Sequence, residues 1–198
     1  MCILFIYNGN NDSKSDYSLI LASNRDEYYD RPSKNMGPWI EDPNVFGGRD
    51  LEVDEGGTWL ALAPLRKKLG VLLNLPTAKK PEAKNNNLPE QPLKKVEAGR
   101  IKLQQIISTF NKVSMQDELI ESHLPDHQLE TRRPNLYKEL SSVFVCIPQG
   151  RYGTRTHTIV LVTKSGHMNV IEMTLVAPID PENPKWIKTE YQFDMDMK

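Results

Sequence analysis

The chain's 198 residues suffice for one domain with its own core, and 25 basic against 26 acidic side chains leave a net charge of −1, so no global field draws it to nucleic acid or to anionic membrane. Two cysteines without CxxC spacing argue against a disulfide framework or a zinc site and make a reducing, cytoplasmic setting the expectation. No run approaches the roughly 18 apolar residues of a membrane span, and the apolar start lacks the basic stretch of a signal peptide.

Residues 2–7 and 17–23, rich in Ile, Leu, Tyr and Phe, predict two antiparallel strands joined by a polar loop that begins at Asn8. Further strands are expected at 45–48, 58–63 and 69–73, with turns at Gly56-Gly57 and Arg66-Lys67-Lys68, which makes the N-terminal third a β-meander. Over 76–92 the composition turns to Pro, Lys, Asn and Glu, as in a linker or seam. Leu93, Val96, Leu103, Ile107 and Phe110 then recur at helical spacing and predict a helix over 93–110. Ser114 with Asp117 resembles a capping box that opens a short second helix ending before Pro125. Strands return at 142–147, 155–163, 167–175 and 187–193, with a tight turn at Lys164-Ser165-Gly166. Strands, then helices, then strands predict a single α+β domain over 1–198 with mostly antiparallel sheet.

Four consecutive polar residues, Asn24-Arg25-Asp26-Glu27, end the second predicted strand. They read either as a solvated strand end or as a site. If the first two strands pair antiparallel, the chain start and this motif share one sheet edge, so Arg25 and Asp26 come close to Cys2, and a cation beside a thiol favours the thiolate. Cys2 itself is either a small buried hydrophobe or a nucleophile; removal of Met1 would expose an α-amine of pKa about 7.7 to 8.0 as its base. Asn74 at a strand end is a turn former or an amide donor to an oxyanion. In the block from Gly150 to Thr158, Arg155 and His157 alternate so as to project together. The fork of Arg155 suits a carboxylate or phosphate, or a salt bridge within the chain. His157 reads first as an ordinary polar contact, Trp59 as core, and Cys146, inside its strand, as the less reactive thiol.

The start MCILF, the stretch LILASNRDEYYDRPS, the block GGTWLAL and the block RYGTRTHTIVLV, in this order, resemble the NRDE family, named for its Asn-Arg-Asp-Glu motif and also called transport and Golgi organisation protein two. The resemblance covers both ends of the chain. It implies a link to Golgi organisation and protein secretion, to haem trafficking in cytoplasm and mitochondria, and to lipid metabolism, with no cofactor required and with haem or a small hydrophobic molecule as cargo. The family is in turn similar to N-terminal nucleophile hydrolases, which implies an αββα fold, incomplete here. Carried over by position, Cys2 would be the nucleophile, Arg25 its orienting cation, Asn74 an oxyanion donor and Arg155 a second arginine of the site. Asp26 adjoins Arg25, whereas those hydrolases place their aspartate three residues after the arginine. Family members are longer: a run such as TYGLSN has no counterpart here, and the junction falls near Asn85-Asn86-Asn87-Leu88, so the chain reads as a shortened form lacking a middle segment. The resemblance favours a trafficking or homeostasis factor, ahead of a cysteine amidohydrolase using Cys2 and of a structural α+β scaffold without ligand.

Overall fold

The computed structural model describes residues 2–52, 54, 56–73, 100, 101, 104, 105 and 143–195. Ten strands follow in chain order: β1 (Ile3–Asn8), β2 (Tyr17–Tyr28), β3 (Ser33–Pro38), β4 (Phe46–Asp50), β5 (Leu60–Ala63), β6 (Lys68–Val71), β7 (Cys146–Ile147), β8 (Tyr152–Thr163), β9 (His167–Leu175) and β10 (Trp186–Asp194). They form two antiparallel sheets. The first runs β1-β2-β8-β9-β10, with β7 paired to the start of β8; the second runs β3-β4-β5-β6.

β2 and β8 carry apolar residues at successive positions because both of their faces are covered. Leu21, Val160, Val162, Met168 and Val170 of the first sheet pack against Met36, Trp59, Leu60 and Leu62 of the second. Ile20 and Leu161, one position along, cluster with Tyr17 on the opposite face. β10, by contrast, alternates half-buried and exposed positions as an edge strand does.

The α+β expectation, and with it the αββα layering, is overturned. Among the described residues the core closes sheet on sheet, and the helical pieces are the 3-10 turns Pro64–Arg66 and Pro148–Gly150 and the positions 100, 101, 104 and 105, all four exposed. The apolar stripe behind the helix predicted over 93–110, and the helix predicted from Ser114, lie outside the described residues. The single N-terminal meander is also corrected: β1 and β2 belong to one sheet and β3 to β6 to the other. β3 went unpredicted, since Met36 is its one apolar position and Pro38 ends it. No helix among the described residues is long and apolar enough to cross a membrane.

Candidate functional site

Antiparallel pairing sets Ile3 opposite Asn24, which brings Cys2 to the Arg25 end of the motif. The Cys2 thiol is 4% exposed and donates to the Asp26 carbonyl at 3.9 Å, a weak contact that fixes the side chain. It lines a pocket of about 130 Å³ together with Arg25, Glu27, Arg31, Asp50 and Trp59.

Arg25 is held on two sides. Its Nη2 donates to Asp50 Oδ2 at 2.7 Å, and its guanidinium lies over the Trp59 ring, 4.4 Å from the centroid. Its Nη1 is buried without a hydrogen-bond partner. Asp50 Oδ2 also accepts from Arg31 Nε at 2.8 Å, and Oδ1 from the Glu52 amide at 3.1 Å. Burial pushes the Asp50 carboxyl up, but the bonds from Arg31, the Glu52 amide and Arg25 outweigh it and hold the group below its ordinary value. Local backbone sets this geometry. Gly56 turns at φ +68, Gly57 exchanges two backbone hydrogen bonds with Asp50, and a Cβ on Gly48 would lie 2.1 Å from the Trp59 ring.

A bulge interrupts the β2–β8 ladder here. Arg25 pairs with Thr156 and Asp26 with Thr154, so Arg155 is the extra residue. Bulges re-aim side chains. Arg155 reaches the second sheet, where Nη2 donates to Ser33 Oγ at 3.2 Å; its Nη1 serves the Tyr28 carbonyl at 3.0 Å and the Arg31 carbonyl. Burial and the like charge of Arg25 push its guanidinium down to about 10, still cationic at neutral pH. The Asp26 carboxylate accepts from Thr154 Oγ1 at 2.6 Å, and that hydroxyl accepts the Val145 amide at 2.8 Å, which ties β2 and β8 to the segment entering β7.

The motif therefore divides by face. Arg25 and Glu27 reach the Cys2 pocket, while Asn24 Nδ2 donates to the Val143 carbonyl at 2.7 Å and its Oδ1 lies 2.8 Å from His157 Nδ1. The His157 ring stacks between Phe144 and Trp186, 5.0 and 5.1 Å away. The expectation that Arg155 and His157 project together is corrected, because the bulge between their neighbours breaks the alternation. Rather than ending at the motif, β2 continues through it to Tyr28.

Cys2 takes the buried place that one of its two readings gave it, and Cys146 is the more accessible thiol. β7 is only two residues long and leaves Cys146 exposed, 3.9 Å from the Tyr29 hydroxyl, whereas Cys2 is buried. Asn74 lies outside the described residues. Asp50 and Arg31 were missed from the sequence, as was Glu172. Glu172 carried a legible signal: an acid amid MNVIEMTL, in phase with the core residues Met168 and Val170.

A profile of the Transport and Golgi organisation 2 family matches residues 1–88 and 83–177. Transport and Golgi organization protein 2 of Drosophila melanogaster is 28% identical, and the homologs of Mus musculus and Homo sapiens are 25% and 26% identical. Each alignment takes in 98% of this chain and 98 or 99% of the relative. The fly alignment runs over 282 residues and takes in 98% of the 198 here, so close to ninety of its positions face no residue of this chain. The two family matches meet at 83–88, inside the polar stretch 76–92. The chain belongs to the Transport and Golgi organisation 2 family.

Proposed function

We propose that this chain acts in transport and Golgi organisation, the role that the names of its relatives give to them, as a cytoplasmic factor working at Golgi or mitochondrial membranes. It does so by binding a small ligand in the Cys2–Arg25 pocket. The observation that carries this reading is Arg25, whose guanidinium is fixed by Asp50 and Trp59 while its Nη1 stays buried and unpartnered beside a pocket. A preorganised, desolvated donor is what recognition of a ligand oxygen requires. Cargo of the haem or lipid-related kind would meet this wall with a polar end. The described residues do not fit a haem iron, which needs an axial donor in an apolar slot. Four charged side chains line this pocket, the Cys2 thiol there is turned to the Asp26 carbonyl, Cys146 lies on the surface, His157 is held in its aromatic stack, and His167 pairs with Asp194 at 2.7 Å.

A second reading, a Cys2 amidohydrolase, is favoured by one observation: Cys2 and Arg25 line the same pocket. Removal of Met1 would free an α-amine able to take the thiol proton, and the thiolate would attack an amide carbonyl whose oxyanion Arg25 Nη1 could receive.

Rescue of secretory transport in cells depleted of the endogenous relative tests both. Wild type and Cys2→Ala are expected to rescue, and Arg25→Lys, which keeps the charge but loses the fork, is expected to fail while melting as a folded protein. Full rescue by Arg25→Lys would sink the ligand reading. Failure of Cys2→Ala, with Met1 absent by intact mass, would put the amidohydrolase first.

A further inference from the structure

The Cys2 pocket has a neighbour on the far side of Arg31, a cavity of about 480 Å³ lined by Arg31, Ser33, Leu51, Arg155 and Pro178 among others. Arg155 is only 4% exposed, yet among the described residues it makes no ion pair. Its Nη atoms are spent on two carbonyls and a hydroxyl, and Nε is buried without a partner. Glu27, Asp50 and Asp30 temper the charge from a distance, and Arg25 opposes it. Asp30, on the cavity wall, is already taken up by Arg151 at 2.7 and 2.8 Å. A buried cation without a contacting carboxylate is costly, and an anion entering the cavity would remove that cost.

The rest of the wall says what kind of anion. Arg31 has its Nε on Asp50 and is partly exposed, so its Nη donors are available at the boundary of the two pockets. Pro32, Leu51, Ala177 and Pro178 supply apolar surface. A phosphate, with three oxygens to satisfy, calls for a cluster of cationic forks or amides, whereas a carboxylate is met by the Arg31 Nη donors, with the buried Arg155 charge just behind the wall. We infer that this second cavity is a binding site for a compact organic anion, a carboxylate on an apolar body about the size of one ring, with Arg155 as its counter-charge and Leu51 and Pro178 against its body. This inference does not rest on the role of Cys2.

Calorimetric titration of the full chain with benzoate, benzamide and inorganic phosphate at low salt tests it. Saturable benzoate binding is expected, with benzamide and phosphate both weaker. Arg31→Gln should weaken benzoate by about tenfold or more, the effect of losing one charge-assisted hydrogen bond. Leu51→Trp, at a residue 41% exposed and so free to enlarge without disturbing the core, should intrude on the cavity and weaken binding. No saturable binding of benzoate would overturn the inference. Benzamide equal to benzoate, phosphate tighter than benzoate, or undiminished binding in Leu51→Trp would each overturn it as well.

Discussion

The Glu172 carboxylate on β9 accepts the backbone amide of Met36 on β3 at 2.7 Å, a hydrogen bond that crosses from one sheet to the other. Glu172 is fully buried and also accepts from Thr158 Oγ1 and Thr174 Oγ1, each at 3.2 Å. Burial pushes its carboxyl above 4.5, and the hydrogen bonds with the Arg25 charge recover only part of that rise. The folded state thus holds this proton more tightly than the unfolded chain. The associated stability is present below 4.5 and is lost as pH rises through the raised folded value. Urea denaturation of Glu172→Gln across about pH 4 to 8 is expected to show this slope removed. Glu172→Ala should cost about 1 to 3 kcal/mol, because the Met36 amide is then orphaned. Identical pH profiles for wild type and Glu172→Gln would show that the carboxyl is not desolvated.

Asp50 acts in the opposite direction. Its carboxyl is held below 3.8, so its contribution is present above that value and is lost as pH falls through the lower folded value. Asp50→Asn should destabilise by about 2 to 3 kcal/mol, less than the roughly 3 to 5 for breaking a fully buried pair, because Asp50 keeps some exposure. The variant should also lose steepness on the acid limb of the stability profile. An unchanged acid limb would mean that the contacts of Asp50 with Arg31, the Glu52 amide and Arg25 together carry no net energy.

Access decides the thiols. Brief treatment of the native protein with iodoacetamide, followed by peptide mapping, should label exposed Cys146 before Cys2, which is 4% exposed. Denaturation should equalise the two. Preferential native labelling of Cys2 would mean that thiolate activation by Arg25 outweighs burial, and would strengthen the amidohydrolase reading.

Gly48→Ala places a methyl 2.1 Å from the Trp59 ring, and Trp59 is the platform under Arg25. The variant is expected to lose about 2 to 3 kcal/mol through overpacking and to shift Trp59 fluorescence. Gly70→Ala, where a Cβ meets nothing within 4 Å, is the control and should leave the emission unchanged. Equal melts and spectra for the two variants would show that Trp59 repacks freely.

Much of the sheet was legible because its strands carry their own pattern. β9 alternates core residues such as Met168 and Val170 with their neighbours, and the turn after β8 announces itself as Lys164-Ser165-Gly166. The closeness of Cys2 to the Asn24-Arg25-Asp26-Glu27 motif followed from one assumption, antiparallel pairing of the first two strands, which fixes register by local connectivity. β3 could not be read in the same way. Ser33–Pro38 lacks an apolar alternation and becomes a strand through its partner β4 and the Glu172 bond to Met36.

The sequence by itself determined the family, through four ordered motifs, and most strand positions, through residue pattern, since both are properties of contiguous segments. Tertiary structure alone decided which residues face each other across the site. Asp50 meets Arg25 from 25 residues away, and Trp59 meets it from the opposing sheet, because two separately patterned surfaces close on one core. The bulge that sends Arg155 away from His157 depends on the joint register of β2 and β8, which are far apart in the chain. Exposure of Cys146 and burial of Cys2 follow from the same cause: what covers a side chain is set by the partner that arrives, and neither strand encodes its partner's position.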